Sequence, residues 1–126
     1  MSRQYHYRID TEVKFGFLKL IDVNLIREQV TDDWANQTLC RVNDCVVRLG
    51  VVQGEFHWHK HDNEDEFFYV VDGRLFIDVE NGPTVELLPN QGFTVPKGIV
   101  HRTRAPDRTA MLMIEGATVT ATGDDD

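Results

Sequence analysis

Three histidines, His57, His59 and His61, alternate with Phe56, Trp58 and Lys60 in the stretch EFHWHKHDNEDEFFYVVDG. Side chains on a strand alternate faces, so the three imidazoles would share one face. Protonated, they would repel one another; neutral, they suit a common cation. Glu66 follows five residues after His61 and opens the apolar run FFYVV, which reads as a second strand. Asp62, Asn63, Glu64 and Asp65 between them are turn formers and solvated acids. The expectation is a hairpin that aims two or three histidines and one carboxylate at a single point. A lone strand histidine is ordinarily a core or surface residue, but three in alternation, in a chain with five histidines, ask for a shared partner. An affinity tag is excluded, because the segment is internal and interleaved with aromatics.

The surrounding chain must position that hairpin. Residues 1–11 are polar and aromatic, with Tyr5 and Tyr7 in alternation; they read as an arm adding a strand to this subunit or a neighbour, with His6 incidental. Val13–Ile21 reads as another early strand. Asp22–Val30 predicts a short helical turn capped by Asp22 or Asn24, since Val23, Ile26 and Val30 recur at helical spacing. Thr31–Asn36 reads as a loop with Trp34 as an aromatic anchor.

From Leu39 the pattern is β. Leu39–Val42 and Cys45–Val52 flank the hairpin dipeptide Asn43-Asp44. Asp72-Gly73, Asn81-Gly82-Pro83, Pro89-Asn90, Pro96-Lys97-Gly98 and Pro106-Asp107 mark further turns. Between them lie strands at Phe67–Val71, Arg74–Val79, Val85–Leu88, Phe93–Val95, Ile99–Ala105 and Ala110–Glu115. Short strands with turns every 8 to 12 residues predict an antiparallel sandwich or barrel. Phe67 and Tyr69 face one way and Phe68 and Val70 the other, so both faces of that strand should be covered, one by the barrel interior and one by the N-terminal segment or a second subunit. A homodimer is the resulting expectation. Thr118–Asp126 reads as a frayed tail with Asp124, Asp125 and Asp126 solvated.

The 126 residues predict one domain, with a core at about 39–115, an N-terminal arm at 1–38 and a frayed acidic tail at 118–126. A net charge of −8 argues against a basic nucleic-acid-binding surface. No apolar run approaches the roughly 18 residues that span a bilayer. The opening MSRQYHYRID lacks the apolar core of a secretory signal. Cys40 and Cys45 are then expected as free, mostly buried thiols in a reducing cytoplasm.

Two motifs together resemble the cupin superfamily. The first is His59-x-His61, four residues, Glu66, six residues, Gly73, with Gly54 one residue nearer than usual. The second is Pro96-x-Gly98-x-x-His101, with Asn90 in the leading glycine position and Ala105 in the closing Asn position. Asn, like Gly, visits positive φ. The resemblance covers about Leu39 to Glu115. It implies an all-β antiparallel jelly roll, or double-stranded β-helix barrel, and a metal held by His59, His61, Glu66 and His101. His57 lies two residues, roughly 6–7 Å, farther along the strand and is read as a rim group, either an acid/base or a support behind the ligands.

Three neutral imidazoles and one carboxylate suit a divalent transition metal: Fe, Mn, Ni, Co or Zn. Four protein ligands would leave two positions open on an octahedral ion. The inward wall is expected from Phe68, Val70, Leu75 or Phe76, and Met111 or Met113. Arg48, Arg74, Arg102 and Arg104 are candidates for an anionic group, against the ordinary reading of solvated surface arginines. The chain therefore reads as a small metal-dependent enzyme (oxygenase, isomerase, epimerase or lyase) acting on a small organic acid or sugar-like molecule. The alternatives are a non-catalytic metal or small-ligand binding module or sensor, and a barrel with vestigial histidines.

Overall fold

A computed structural model describes residues 7–124. Strand β1 (Arg8–Asp10) runs parallel to β2 (Trp34–Val42), with Arg8 opposite Ala35. The N-terminal arm thus adds a strand to its own sheet; Tyr5 and His6 lie outside the described residues. Val13–Ile21 is not the predicted strand. Only Lys14 and Phe15 reach the β2 edge, through their N–H groups to Thr38 and Leu39. Leu18 then turns to a φ of 61°, a conformation a strand cannot carry. The detour leaves Phe17, Leu18 and Leu20 fully exposed, at 84%, 104% and 90%.

Helix α1 (Val23–Glu28) is the predicted turn, capped by Asp22, whose Oδ1 accepts from the Leu25 N–H at 3.2 Å. It buries Ile26 against a small outer cluster with Leu39, Leu49 and Val51. Residues 31–36 are shorter as a loop than predicted, because β2 begins at Trp34, whose ring is buried. The Asn43-Asp44 hairpin joins β2 to β3 (Cys45–Glu55), with Asn43 at a φ of 51°. Cys40 and Cys45 are free, as expected, but Cys45 is exposed and Cys40 only partly covered, which corrects the expectation of buried thiols.

The remaining strands are β4 (Glu66–Asp72), β5 (Leu75–Val79), β6 (Thr84–Leu87), β7 (Gly92–Val95) and β8 (His101–Gly116). All pair antiparallel, and β8 is the hub: it pairs with β5 in its first part, with β4 in its last, and with β3 beside both. The sequence predicts two strands here, separated by a turn at Pro106-Asp107. The chain instead runs through. Residues 106–108 are absorbed as a bulge, since Val52 faces Thr109 while Gly54 faces Ala105. That bulge lets one strand serve both halves of the barrel. The fold is the jelly-roll barrel that the cupin resemblance implies, within the sandwich-or-barrel class expected from the turn pattern, with Phe68, Val70, Leu75 and Ile77 packed inside at 2% exposure or less.

On the outer face Asp78 clamps β5 to β8. Its carboxylate accepts from Arg104 Nε at 2.8 Å, Arg102 Nε at 2.9 Å and Thr84 Oγ1 at 2.7 Å. Arg104 foremost, then Thr84 and Arg102, hold the Asp78 carboxyl far below its ordinary range.

Candidate metal centre

The histidine run is extended but is not a ladder strand, and it forms no hairpin with β4. Its one bridge is to β8: the His59 N–H donates to the His101 carbonyl and the His101 N–H to the His59 carbonyl, both at 2.9 Å. A hairpin would leave His101 to chance, whereas the bridge fixes two ligand-bearing segments side by side.

One side-chain atom from each of His59, His61, Glu66 and His101 lies within 4.8 Å of the other three. His61, Glu66 and His101 are 2%, 6% and 1% exposed; His59 is more open and lies on the pocket wall. Glu66 Oε1 is 3.4 Å from His101 Nε2 and 3.6 Å from His61 Nε2. The Nδ1 atoms of His59 and His101 donate to the carbonyls of His57 and Ile99, each at 2.9 Å. Those bonds anchor each ring through Nδ1 and turn Nε2 toward the common point, where that of His101 faces Glu66 Oε1 at 3.4 Å. Neither ring nitrogen of His61 has a hydrogen-bond partner, although the ring is buried. A buried polar ring without a partner is costly, and a cation at the common point would satisfy it. The donor set therefore fits a divalent transition metal.

His57 stands outside this group. Its Nε2 donates to the Thr122 carbonyl at 2.6 Å, and its Nδ1 faces the Tyr7 hydroxyl at 3.2 Å. Its own carbonyl orients His59.

Behind Glu66 lies its cross-strand neighbour Glu115, 3% exposed, with Arg48 Nε 3.4 Å from Glu115 Oε1. Burial, then the adjacent Glu66 carboxylate, pushes the Glu115 carboxyl up despite Arg48. Burial works against ionising Glu66, but Glu115, His101 and His61 outweigh it and hold the carboxyl low. For His61, burial is likewise outweighed, by Glu66 with Asp124 and Glu64 behind, and the pKa is raised. Arg48 is thus a buried partner of Glu115. Arg74 meets Glu86 and Asp107, and Arg102 and Arg104 meet Asp78, so none of the four lines the pocket as an anion holder.

His59 offers a pH test. Burial, then the neighbouring His101, pushes its pKa down to about 4. Between pH 6.5 and 4 the unfolded chain takes up a proton that the folded chain refuses, so folding stability falls as pH falls through that window. The loss is on the order of 3 kcal/mol. Glu115 acts with the opposite sign above its ordinary pKa, so the comparison is between the metal-free parent and His59→Gln, which share that contribution. Urea unfolding from pH 7 to 4 should show the parent losing about 3 kcal/mol relative to the variant. A gap that stays constant with pH would mean that the ring titrates normally.

The pocket beside the four residues counts Trp34, Phe56, Phe68, Met111 and Met113 in its wall. Phe68 is as the sequence predicts, and both Met111 and Met113 line the wall where the sequence offered one or the other. Val70 and Leu75 are buried in the same core without lining the pocket, and Phe76 points outward beneath Arg74 and Arg104. Asn36 is a wall residue the sequence does not reveal: its Oδ1 is buried without a partner. Nothing distinguishes it in sequence from other strand asparagines.

The C-terminal segment corrects the sequence reading most. Residues 117–124 are not a frayed tail. Val119 is 6% exposed, Ala121 lines the pocket, and Asp124 bonds to the histidine loop. Asp125 and Asp126 lie outside the described residues.

The cupin domain family model, of the Cupin_2 type, matches residues 45–115. The chain is a cupin. An uncharacterised Bacillus subtilis (strain 168) protein, YdbB, is 41% identical over 97 residues, which cover 77% of this chain and 86% of that protein. Among solved structures, a cupin-2 domain containing protein from Shewanella frigidimarina superposes with a TM-score of 0.73 at 29% identity, over 77% of this cupin and 94% of that chain. A Neisseria meningitidis protein superposes with a TM-score of 0.70 at 20% identity, over 78% and 99%, a likeness of fold. The cupin motif positions here also have the backbone the motif needs: Gly54, Gly73 and Gly98 take positive φ, and Asn90, in a glycine position, takes 67°.

Proposed function

We propose that this cupin is a metal-dependent enzyme acting on a small organic acid or sugar-like molecule, with His59, His61, Glu66 and His101 holding a divalent Fe, Mn, Ni, Co or Zn ion. The observation that supports this reading is the convergence of the four side chains, two of them with the ring already anchored through Nδ1 by a backbone carbonyl. When bound, the metal would supply Lewis-acid polarisation of a substrate oxygen, or dioxygen chemistry if it is iron. The chain's own part is to exclude water with an apolar wall and to orient the substrate. Asn36 supports the second role, since its buried Oδ1 is an acceptor with no protein partner and would take a hydroxyl of the substrate. His57 is assigned to support, because its nitrogens face Tyr7 and Thr122 and its carbonyl holds His59. An oxygenase, an isomerase or epimerase, and a lyase all fit this arrangement.

Elemental analysis of protein purified without added metal tests the reading, followed by oxygen uptake across small carboxylic acids. About one equivalent of a transition metal per chain is expected. Protein free of metal that also takes up none would remove the reading; bound metal without turnover on any candidate would leave a ligand-binding module in its place.

We also propose a homodimer. The exposed Phe17, Leu18 and Leu20 support it, whereas on β4 Gly92 packs on Phe67 and Asn90 accepts from the Tyr69 hydroxyl within the chain. Sedimentation at micromolar concentration decides it. Free Cys40 and Cys45 fit a reducing compartment, and on that ground we place the protein in the cytoplasm. No helix among the described residues is long and apolar enough to cross a membrane.

A further inference from the structure

We propose that residues 117–124 form a strap that closes the metal centre, and that Asp124, with Glu64, is a positioning residue for His61. This rests on the ligand set proposed above and adds to it a part of the chain outside both cupin motifs.

The strap meets the ligand loop at Thr118 and again at Thr122, Gly123 and Asp124. Thr118 Oγ1 donates to Glu64 Oε2 at 2.9 Å, and the Thr122 carbonyl accepts from His57 Nε2 at 2.6 Å. Gly123 lies against His59 so closely that a Cβ would sit 2.5 Å from the His59 Cβ; its φ of 93° also favours glycine. Asp124 brackets His61 along the chain. Its N–H donates to the Lys60 carbonyl at 2.8 Å, and its Oδ2 accepts from the Asp62 N–H at 2.7 Å. A ring nitrogen of His61, a Glu64 oxygen and an Asp124 oxygen lie within 4.8 Å of one another.

The second, independent observation is His61 itself. It is 2% exposed, and both its nitrogens lack hydrogen-bond partners. His59 and His101 are oriented by backbone carbonyls, so each needs no help. His61 has no such carbonyl partner. A metal-bound imidazole donates its other N–H to an oxygen that fixes the ring. The carboxylates at hand for that are Asp124 and Glu64, each with an oxygen within 4.8 Å of a His61 ring nitrogen. His61 would then be locked only when the strap is down, and the ion could leave only when it lifts.

The test uses the full chain loaded with cobalt(II), whose visible spectrum reports the ligand field. The variants are Asp124→Asn, Glu64→Gln, Asp124→Glu and a chain ending at Ala117. Loss of cobalt to excess chelator should quicken about 10- to 100-fold in Asp124→Asn. The cobalt spectrum should shift, the metal-free melting temperature should hold, and Asp124→Glu should recover part of the slow release. The shortened chain should release metal at least as fast as Asp124→Asn. Parental release rates and an unshifted spectrum in Asp124→Asn overturn the proposal, whatever the shortened chain does. Failure of the parent to take up cobalt overturns the ligand set beneath it, and that outcome appears before any substitution is made.

Discussion

His101→Ala and His61→Ala should each strip the metal, whereas His57→Ala should leave it bound. The expected loss for either ligand is at least about 100-fold in affinity, beyond what removal of a supporting group does. His101 is 1% exposed and comes from β8, whereas His59 and His61 come from the histidine run, so it is the one ligand that ties β8 to the site. His61 has no hydrogen bond to compensate its loss and sits 3.6 Å from Glu66. His57 orients His59 with its backbone carbonyl, which the substitution retains. Its side-chain bonds to Tyr7 and Thr122 would go, so a faster release with retained stoichiometry is the expected residue of that change. Metal content after dialysis, read with circular dichroism to confirm folding, settles the matter. Equal loss in all three variants would show that the ligand assignment is displaced by one pleat.

Phe68→Ala should cost about 3–5 kcal/mol of folding stability, the range for a large aromatic removed from a closed core. Phe68 is 2% exposed and belongs to the inner cluster with Val70, Leu75 and Met113. Its strand is paired on both sides, to β7 through Phe93 and to β8 through Met113, so the backbone cannot collapse into the space. Its ring also meets that of His101 edge-on, with centroids 6.2 Å apart. Phe68→Leu keeps much of the volume and should cost clearly less. Urea unfolding of the metal-free proteins measures both. A cost for the alanine below about 1 kcal/mol would mean that the pocket face, rather than the core, is what Phe68 serves.

The barrel was legible because its determinants are local. Alternation in Leu75, Ile77 and Val79, and turn residues at Asp72-Gly73 and Asn81-Gly82, act over a few positions. The bulge at 106–108 was not legible, because Pro106-Asp107 has the chemistry of a turn and only the partner strands carry β8 through it. Val13–Ile21 alternates like a strand, yet Gly16 and the positive φ of Leu18 break it. The convergence of His101 on His59 and His61 came from motif spacing; no periodicity joins positions forty residues apart. The closing segment was missed for a different reason. It is held by carbonyls, N–H groups and one carboxylate, with Val119 nearly its sole apolar contribution, and hydrophobic patterning cannot see such contacts.

The reciprocal backbone bonds between His59 and His101 have a further bearing on how this protein can change. Because main-chain atoms set the distance between the two segments, the spacing does not depend on which side chains they carry. Exchanging one imidazole for a carboxylate or an amide would alter the preference among ions without moving its neighbour. The scaffold thus separates where a donor sits from what that donor is, and a lineage could trade one metal for another through single replacements while the barrel stays intact.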